Sequence, residues 1–314
     1  MKMDKLYIIG NGFDCAHGLP TKYSDFRKYV VSQIPDGSDY YYYYYYSVPE
    51  SITLPDGGEK YELDDVVMYI VKILDMCGGE DWSELEAYLG DAIYDAFLDE
   101  LHDVDIDNDK LYHEIYANED LATDIRESFI DVQSLFAEWV NEELSRIDYM
   151  GKKNKDIDKI IDSKGLYLSF NYTITLEKVY GINENQICHI HGRVGDSEDK
   201  IIMGHGDDAP IKDNLTYLGA EIPFGELKRK LRKDTTGIIC NHKDFFDRLS
   251  NLKKIYTYGF SFSDVDMVYV EEICRHINPQ KVVWYLNSYD CINNADFRST
   301  LERLGFIVDE ERNW

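Results

Sequence analysis

Four short apolar runs each end in a polar patch, and this arrangement constrains the fold of the chain more than any other feature. LYII runs into Gly10-Asn11-Gly12-Phe13-Asp14, GLYLSF into Asn171-Tyr172-Thr173, QICHI into His191-Gly192, and KKIYTY into Gly259-Phe260-Ser261. Each run has the length and the β-branched or aromatic content of a buried strand. In an open parallel sheet a ligand sits beyond the carboxyl ends of the strands. If the four runs share one sheet, their polar ends converge on one crevice.

The rest of the chain fits that frame. Residues 5–9 predict a strand, 10–12 a glycine-bearing turn, and the stretch from about Ser24 a helix with Phe26, Val30 and Ile34 on one face. Residues 35–60 carry Pro35, Pro49, Pro55 and the run Tyr40–Tyr46, which predict a variable loop rather than a ligand platform. Residues 61–150 lack strand signals and repeat apolar side chains at three- and four-residue steps, so three or more amphipathic helices are expected there. A charged helix or linker follows over 151–165. Strand signals return at 166–170, 186–190, 200–203, 254–258 and 281–286, with a helix at 264–277 as a right-handed crossover requires. The expected fold is α/β: a Rossmann-like parallel sheet with a large helical insertion after the first β-α unit. Residues 1–34 and 165–314 form the nucleotide-binding core in this reading, and 35–164 the mainly helical insertion.

Charge narrows the partners. Sixty acids against 33 bases in 314 residues give a formal net charge of -27. Such a chain is repelled by nucleic-acid phosphates and anionic membrane surfaces, which argues against a general nucleic-acid binder. A small anionic ligand stays open, because backbone amides and a few local bases can hold one. No secretion leader is read at the N-terminus and no apolar run nears the ~18 residues of a membrane span. Cysteines 15, 77, 188, 240, 274 and 291 stand singly, without a C-x-x-C pair. Buried free thiols in a reducing cytoplasm are the expectation.

Several residues carry chemistry. Gly10-x-Gly12 after a strand lets the backbone approach a phosphate, the alternative being a tight strand-to-helix turn. Asp14 and His17 follow it and would face the crevice. Asn171 at a strand end can hold a water or ribose hydroxyl by donating and accepting at once, the alternative being a cap on a helix starting at Thr173. His191 is a candidate general base, the alternative being a structural histidine bonded to backbone. A rival set is metallic: His189 and His191 on one strand face, with His205 and Asp207 on the next loop, would serve a metal-dependent hydrolase or nuclease. The basic run Lys228, Arg229, Lys230, Arg232, Lys233 reads as a solvated helix face.

IGNGFDCAHGLPTKYSDF resembles the N-terminal signature of the AbiH proteins, bacterial factors of phage abortive infection. Trp82-x-x-x-Glu86, SFNYTITLEKVYG, HIHGRVG, IIMGHGDD and YGFSFSDVD resemble successive AbiH blocks. Several of these are also similar to the sirtuin-like NAD-binding proteins, including bacterial defence enzymes that hydrolyse NAD. That resemblance implies an NAD glycohydrolase with Asn171 and His191 catalytic; Asp14 or Glu86 is the further candidate for stabilising the developing cation. It implies nucleotide contacts from Gly10, Gly12, Gly259 and Ser261, and Asn11, Phe13, His17 and Asp266 beside them are expected to line the same site. The opening turn departs from the sirtuin pattern and the zinc-binding cysteine pairs are missing, so no zinc and no protein deacylation are expected. A homo-oligomer or a phage-derived trigger is expected to restrain the activity. A non-catalytic nucleotide-binding sensor is the alternative of a different class.

Overall fold

A computed structural model describes residues 4–34, 47–104, 111–211, 218–287 and 295–310. The tyrosine run Tyr40–Tyr46 and Cys291 lie outside the described residues. In chain order the strands are β1 (Lys5–Ile9), β2 (Ile52–Thr53), β3 (Glu59–Lys60), β4 (Leu166–Ser169), β5 (Ile187–His189), β6 (Lys254–Tyr258), β7 (Val283–Leu286) and β8 (Ile307–Glu310). The chain forms two compact units, the first from Met1–Thr21, Val140–Ile202 and Asp234–Trp314, the second from Lys22–Trp139 and Met203–Lys233.

The first unit is built on a six-stranded sheet of order β5-β4-β1-β6-β7-β8. Every neighbouring pair is parallel. Counting only these six strands in chain order, the sheet reads 3-2-1-4-5-6, the doubly wound order of dinucleotide-binding folds, and its direction reverses between β1 and β6. Parallel strands covered on both faces need near-continuous apolar sequence, and LYII and LYL supply it: Leu6 to Ile9 and Leu166 to Leu168 are all buried.

Alternation along the strands sorts the side chains onto two faces. Leu6, Ile8, Leu166, Leu168, Cys188, Ile255 and Trp284 join Tyr269, Val270 and Ile273 of the helix Asp264–His276 in one core. Tyr7, Ile9, Tyr167 and Tyr256 join Phe13, Ile157, Leu176 and Ile182 in the other. On that second face the register aligns four tyrosines across four strands. Their rings stack in series, Tyr167 on Tyr7 at 4.8 Å, Tyr7 on Tyr256 at 5.1 Å, and Tyr256 on Tyr285 at 4.8 Å. Each such pair contributes roughly 0.5–1.5 kcal/mol beyond area burial. The Tyr7 hydroxyl donates to the Ile160 carbonyl and that of Tyr167 to the Asp162 carbonyl, so these two keep their polar ends satisfied.

The second unit is mainly helical. Its longest helices are Leu63–Gly78 and Leu111–Phe129. One buried polar knot ties it: Arg27 clamps Asp75 through two hydrogen bonds of 2.9 and 2.7 Å, and the Trp82 indole donates to the same carboxylate at 2.7 Å. Phe26 packs its ring edge-on against Trp82 and Phe136 around this knot.

Several local expectations change. The helix after β1 starts at once, at Asn11–Ala16, rather than near Ser24. Tyr23–Ser32 is a separate helix that belongs to the second unit, where Phe26 and Val30 are fully buried. Residues 200–203 form no strand; Ile202 N–H donates to the His191 carbonyl as a single backbone link. The helix Ala295–Arg303 and edge strand β8 went unanticipated, because the charges of IVDE break the buried-strand signature. Cys240 is exposed rather than buried.

Candidate functional site

The glycine turn sits at the reversal point, and its glycines are used by backbone. Gly10 N–H donates to the Tyr258 carbonyl and Gly12 N–H to the Gly259 carbonyl. A Cβ on Gly10 would lie 2.3 Å from the Gly259 oxygen, and one on Gly12 2.7 Å from the Gly259 Cα. Gly259 itself is left-handed, at φ +64°, with space for a Cβ only 2.4 Å from the Gly12 Cα. The β1 and β6 turns therefore touch main chain to main chain, which accounts for all three glycines. Asn11 is exposed and accepts from the Thr21 hydroxyl at 2.6 Å. Phe13 is buried against Tyr180 and Tyr258.

Asp14 follows on the same short helix and is 1% exposed. The Thr173 hydroxyl donates to its Oδ2 at 2.7 Å, and the Thr175 hydroxyl to its Oδ1 at 2.7 Å. The two threonine oxygens also lie 2.9 Å apart. Burial pushes the Asp14 carboxyl up to about 6, against the pull of Thr173, Thr175, His189 and Asn171, which favour the charged form. Counting protons gives a further reason. An ionised Asp14 leaves two hydroxyl protons for three contacts, whereas a protonated one completes a ring: carboxyl to Thr173, Thr173 to Thr175, Thr175 to carboxylate oxygen.

Asn171 is 5% exposed. Its backbone is held, since the N–H donates to the Ser169 hydroxyl and its carbonyl lies 3.2 Å from His189 Nδ1. Its side chain is not: neither Nδ2 nor Oδ1 has a hydrogen-bond partner among the described residues. The amide still acts on the Asp14 carboxylate without closing a bond of ordinary geometry. The capping alternative fails, because the helix begins at Thr175 with Ile174 at its cap position.

His189 bonds Glu177 through Nε2 at 3.0 Å, and Arg193 reaches the same carboxylate oxygen at 2.9 Å. Burial pushes Glu177 up, but His189 and Arg193 outweigh it and hold the carboxyl below its ordinary value. His191 lies beyond the end of β5, so strand alternation does not put it on a face with His189. Its Nε2 is 3.3 Å from the Tyr269 hydroxyl and 3.8 Å from Asp266 Oδ1, and Phe170 meets its ring edge-on. Asp266 lies in the first turn of the helix Asp264–His276 and accepts from the Ser263 hydroxyl at 3.1 Å. Ser261 is exposed. Phe262 beside it is left-handed at φ +53°, a conformation that costs a bulky residue roughly 1–2 kcal/mol.

Some expected residues are absorbed by structure. His17 Nδ1 contacts the Phe13 carbonyl and Nε2 the Tyr180 hydroxyl, each at 2.6 Å. Burial holds its pKa below the ordinary value, so the neutral ring donates from Nδ1 and accepts at Nε2. Glu86 belongs to the second unit, where Lys233 pairs with it at 2.8 Å. The metallic set loses its ligands one by one. His205 also belongs to the second unit; its Nε2 meets the Lys228 carbonyl and its Nδ1 accepts from Asp207 N–H. The Asp207 carboxylate pairs with Lys228. Among the described residues no group of three or more His, Cys, Asp or Glu is placed to hold a metal ion. Two lysines of the basic run, Lys228 and Lys233, are thus buried ion-pair partners rather than a solvated face.

Sequence reasoning missed Thr173, Thr175, Glu177 and Tyr269. The first three had a signal: in Asn171-Tyr172-Thr173-Ile174-Thr175-Leu176-Glu177 polar residues alternate with apolar ones beyond the strand. Tyr269 had none, since it is one aromatic among many on an amphipathic helix. No helix among the described residues is long and apolar enough to cross a membrane. The sequence model of one protein family, described as Bacteriophage abortive infection AbiH, matches residues 6–288. No curated protein matches the chain.

Proposed function

Because the chain belongs to the AbiH family of bacteriophage abortive infection, an anti-phage role is its premise, and we propose that it fills that role by binding NAD and cleaving the nicotinamide–ribose bond. The observation that carries this reading is the Asn171 carboxamide, buried at the end of β4 with both polar atoms unpartnered. Leaving such groups unpaired costs about 1–3 kcal/mol apiece, and a ligand hydroxyl or water would offset that cost. The position supports a dinucleotide, because β4 neighbours β1, where the doubly wound order turns.

The bond breaks as nicotinamide leaves with its electron pair and an oxocarbenium-like ribose forms; water then adds to that carbon and loses a proton. Asn171 orients the ribose or the water. His191 takes the proton, with Tyr269 and Asp266 holding its ring. Such an activity must be restrained in uninfected cells, so self-association or a phage-derived trigger belongs to the same proposal.

The test is a long incubation of purified protein with NAD, reading nicotinamide and ADP-ribose by chromatography. Asn171→Ala and His191→Ala should each lower release by roughly 100-fold or more while melting near the wild type. Wild-type rates in both variants would sink the assignment. Stabilisation by NAD with no product in any condition, phage-infected extract included, would establish the sensor instead.

A further inference from the structure

The Asn171 carboxamide is buried with neither polar atom bonded among the described residues. A side chain keeps so unfavourable a state only where its backbone is held from several sides. The peptide groups around it are fixed one by one. Phe170 N–H donates to the Ile9 carbonyl, and Val194 N–H to the Tyr172 carbonyl at 2.7 Å. Asn171 N–H donates to the Ser169 hydroxyl at 3.2 Å. The Asn171 carbonyl completes the set: it faces His189 Nδ1 at 3.2 Å, with the Ser169 hydroxyl farther off at 3.4 Å. Register puts the ring there, because Ser169 and His189 lie opposite one another at the ends of β4 and β5, with Asn171 two residues on.

The ring is fixed in turn. Its other nitrogen meets Glu177 Oε1 at 3.0 Å, and Arg193 holds that same oxygen at 2.9 Å. The Glu177 carboxyl is held below its ordinary value, so it is ionised and only accepts, as a carbonyl does. His189 satisfies both partners only by donating from both nitrogens, and such charge-assisted bonds are about twice as strong as neutral ones. A ring that donates twice has no lone pair for a proton, so His189 has no share in the base role given to His191.

We infer that His189 is a positioning residue of the proposed site: clasped by Glu177 and Arg193, it pins the Asn171 carbonyl, and through that peptide it keeps the carboxamide aimed and unpaired for a ligand hydroxyl or water. The identity of the ligand rests on the proposed NAD reading; the hold of His189 on Asn171 does not.

The hold is tested without ligand. Asn171-Tyr172 is the only Asn-Tyr step in the sequence. Protein labelled with 13C-carbonyl asparagine and 15N-tyrosine therefore gives one HNCO cross-peak, which reads the Asn171 carbonyl. The Asn171 side-chain amide is followed after 15N-asparagine labelling, its signals identified by their loss in Asn171→Ala. His189→Leu removes the bond to the carbonyl, whereas His189→Asn supplies an amide that can donate from the place of Nδ1. Both variants lack the ring, so the hydrogen bond is what differs between them. Carbonyl and side-chain amide should both shift in His189→Leu and both return toward the wild type in His189→Asn. Glu177→Gln keeps the ring and should move both signals the same way by less; it decides alone if His189→Leu does not fold. A carbonyl signal identical in His189→Leu and His189→Asn, a side-chain amide that does not follow the carbonyl, or no movement in Glu177→Gln overturns the inference.

ADP-ribose binding, measured by calorimetry, extends the test to the site. His189→Leu should weaken it roughly 10–100-fold, and His189→Asn should restore most of that loss. Added to Asn171→Ala, His189→Leu should weaken binding no further, because a residue that acts through the carboxamide has nothing left to act on. Losses that add, or wild-type affinity in His189→Leu, overturn the positioning role. If the wild type binds neither NAD nor ADP-ribose, the NAD reading fails, and the two NMR signals decide the role of His189.

Discussion

Gly259→Ala tests whether the two glycine turns truly meet main chain to main chain. Two penalties add at this position. The residue is left-handed, at φ +64°, which costs a non-glycine residue roughly 1–2 kcal/mol. The new methyl would also stand 2.4–2.6 Å from the Gly12 N, Cα and C atoms. Those are backbone atoms fixed by the Gly12 N–H bond to the Gly259 carbonyl, so a strand end must move, and overpacking of this kind costs about 1–3 kcal/mol. Gly195→Ala is the control, because Gly195 is left-handed at φ +89° with nothing within 4 Å of its Cβ position. It carries the first penalty without the second. At about 2–4 °C per kcal/mol for a unit of this size, Gly259→Ala should melt roughly 2–12 °C below Gly195→Ala by circular dichroism. Equal melting of the two would refute the contact, and the three glycines would again need a ligand to explain them.

Two further outcomes are expected. Asp14 binds its proton more tightly folded than unfolded, so its contribution to stability is highest below the unfolded pKa and is lost as pH rises from 3.8 through about 6. The whole shift amounts to about 3 kcal/mol, of which about 1–1.5 kcal/mol falls between pH 5 and pH 8; urea unfolding should show wild type losing that much relative to Asp14→Asn, and a parallel pair of curves would contradict the buried carboxyl. Asp75→Ala strips the Arg27 guanidinium of its bidentate partner and the Trp82 indole of its acceptor; a loss of about 3–5 kcal/mol is expected, and a thermal shift corresponding to less than about 1 kcal/mol would remove the knot from any part in stability.

The sheet was legible where strands are buried on both faces. KLYII, LYLSF and KIYTY advertise themselves because a covered parallel strand has no polar face to dilute the pattern. IVDE at the sheet edge did not, since two acids in four residues break that apolar pattern. IIMG misled for the opposite reason: its apolar residues pack from a loop, which uses the same side chains as a strand. The candidate site was half legible. Asn171 and His191 stand at strand ends and stood out as polar residues after apolar runs. His205, Asp207 and Glu86 stood out equally, but Lys228 and Lys233 pair with the two carboxylates, and the His205 ring nitrogens are taken by the Lys228 carbonyl and the Asp207 N–H. Pairing of that kind joins residues far apart in sequence and leaves no local trace.

The strand order has a consequence for how the molecule comes to exist. β1 is made before both of its neighbours, β4 and β6, whose residues begin at Leu166 and Lys254. At ~5–20 residues per second the ribosome delivers the first of them roughly 8–30 s later. Throughout that delay LYII is an apolar segment with no edge to pair against, a natural client for chaperones. A product ending before β6 would hold Asp14 and Asn171 without Gly259, Asp266 and Tyr269, and so only part of the residues proposed for the site.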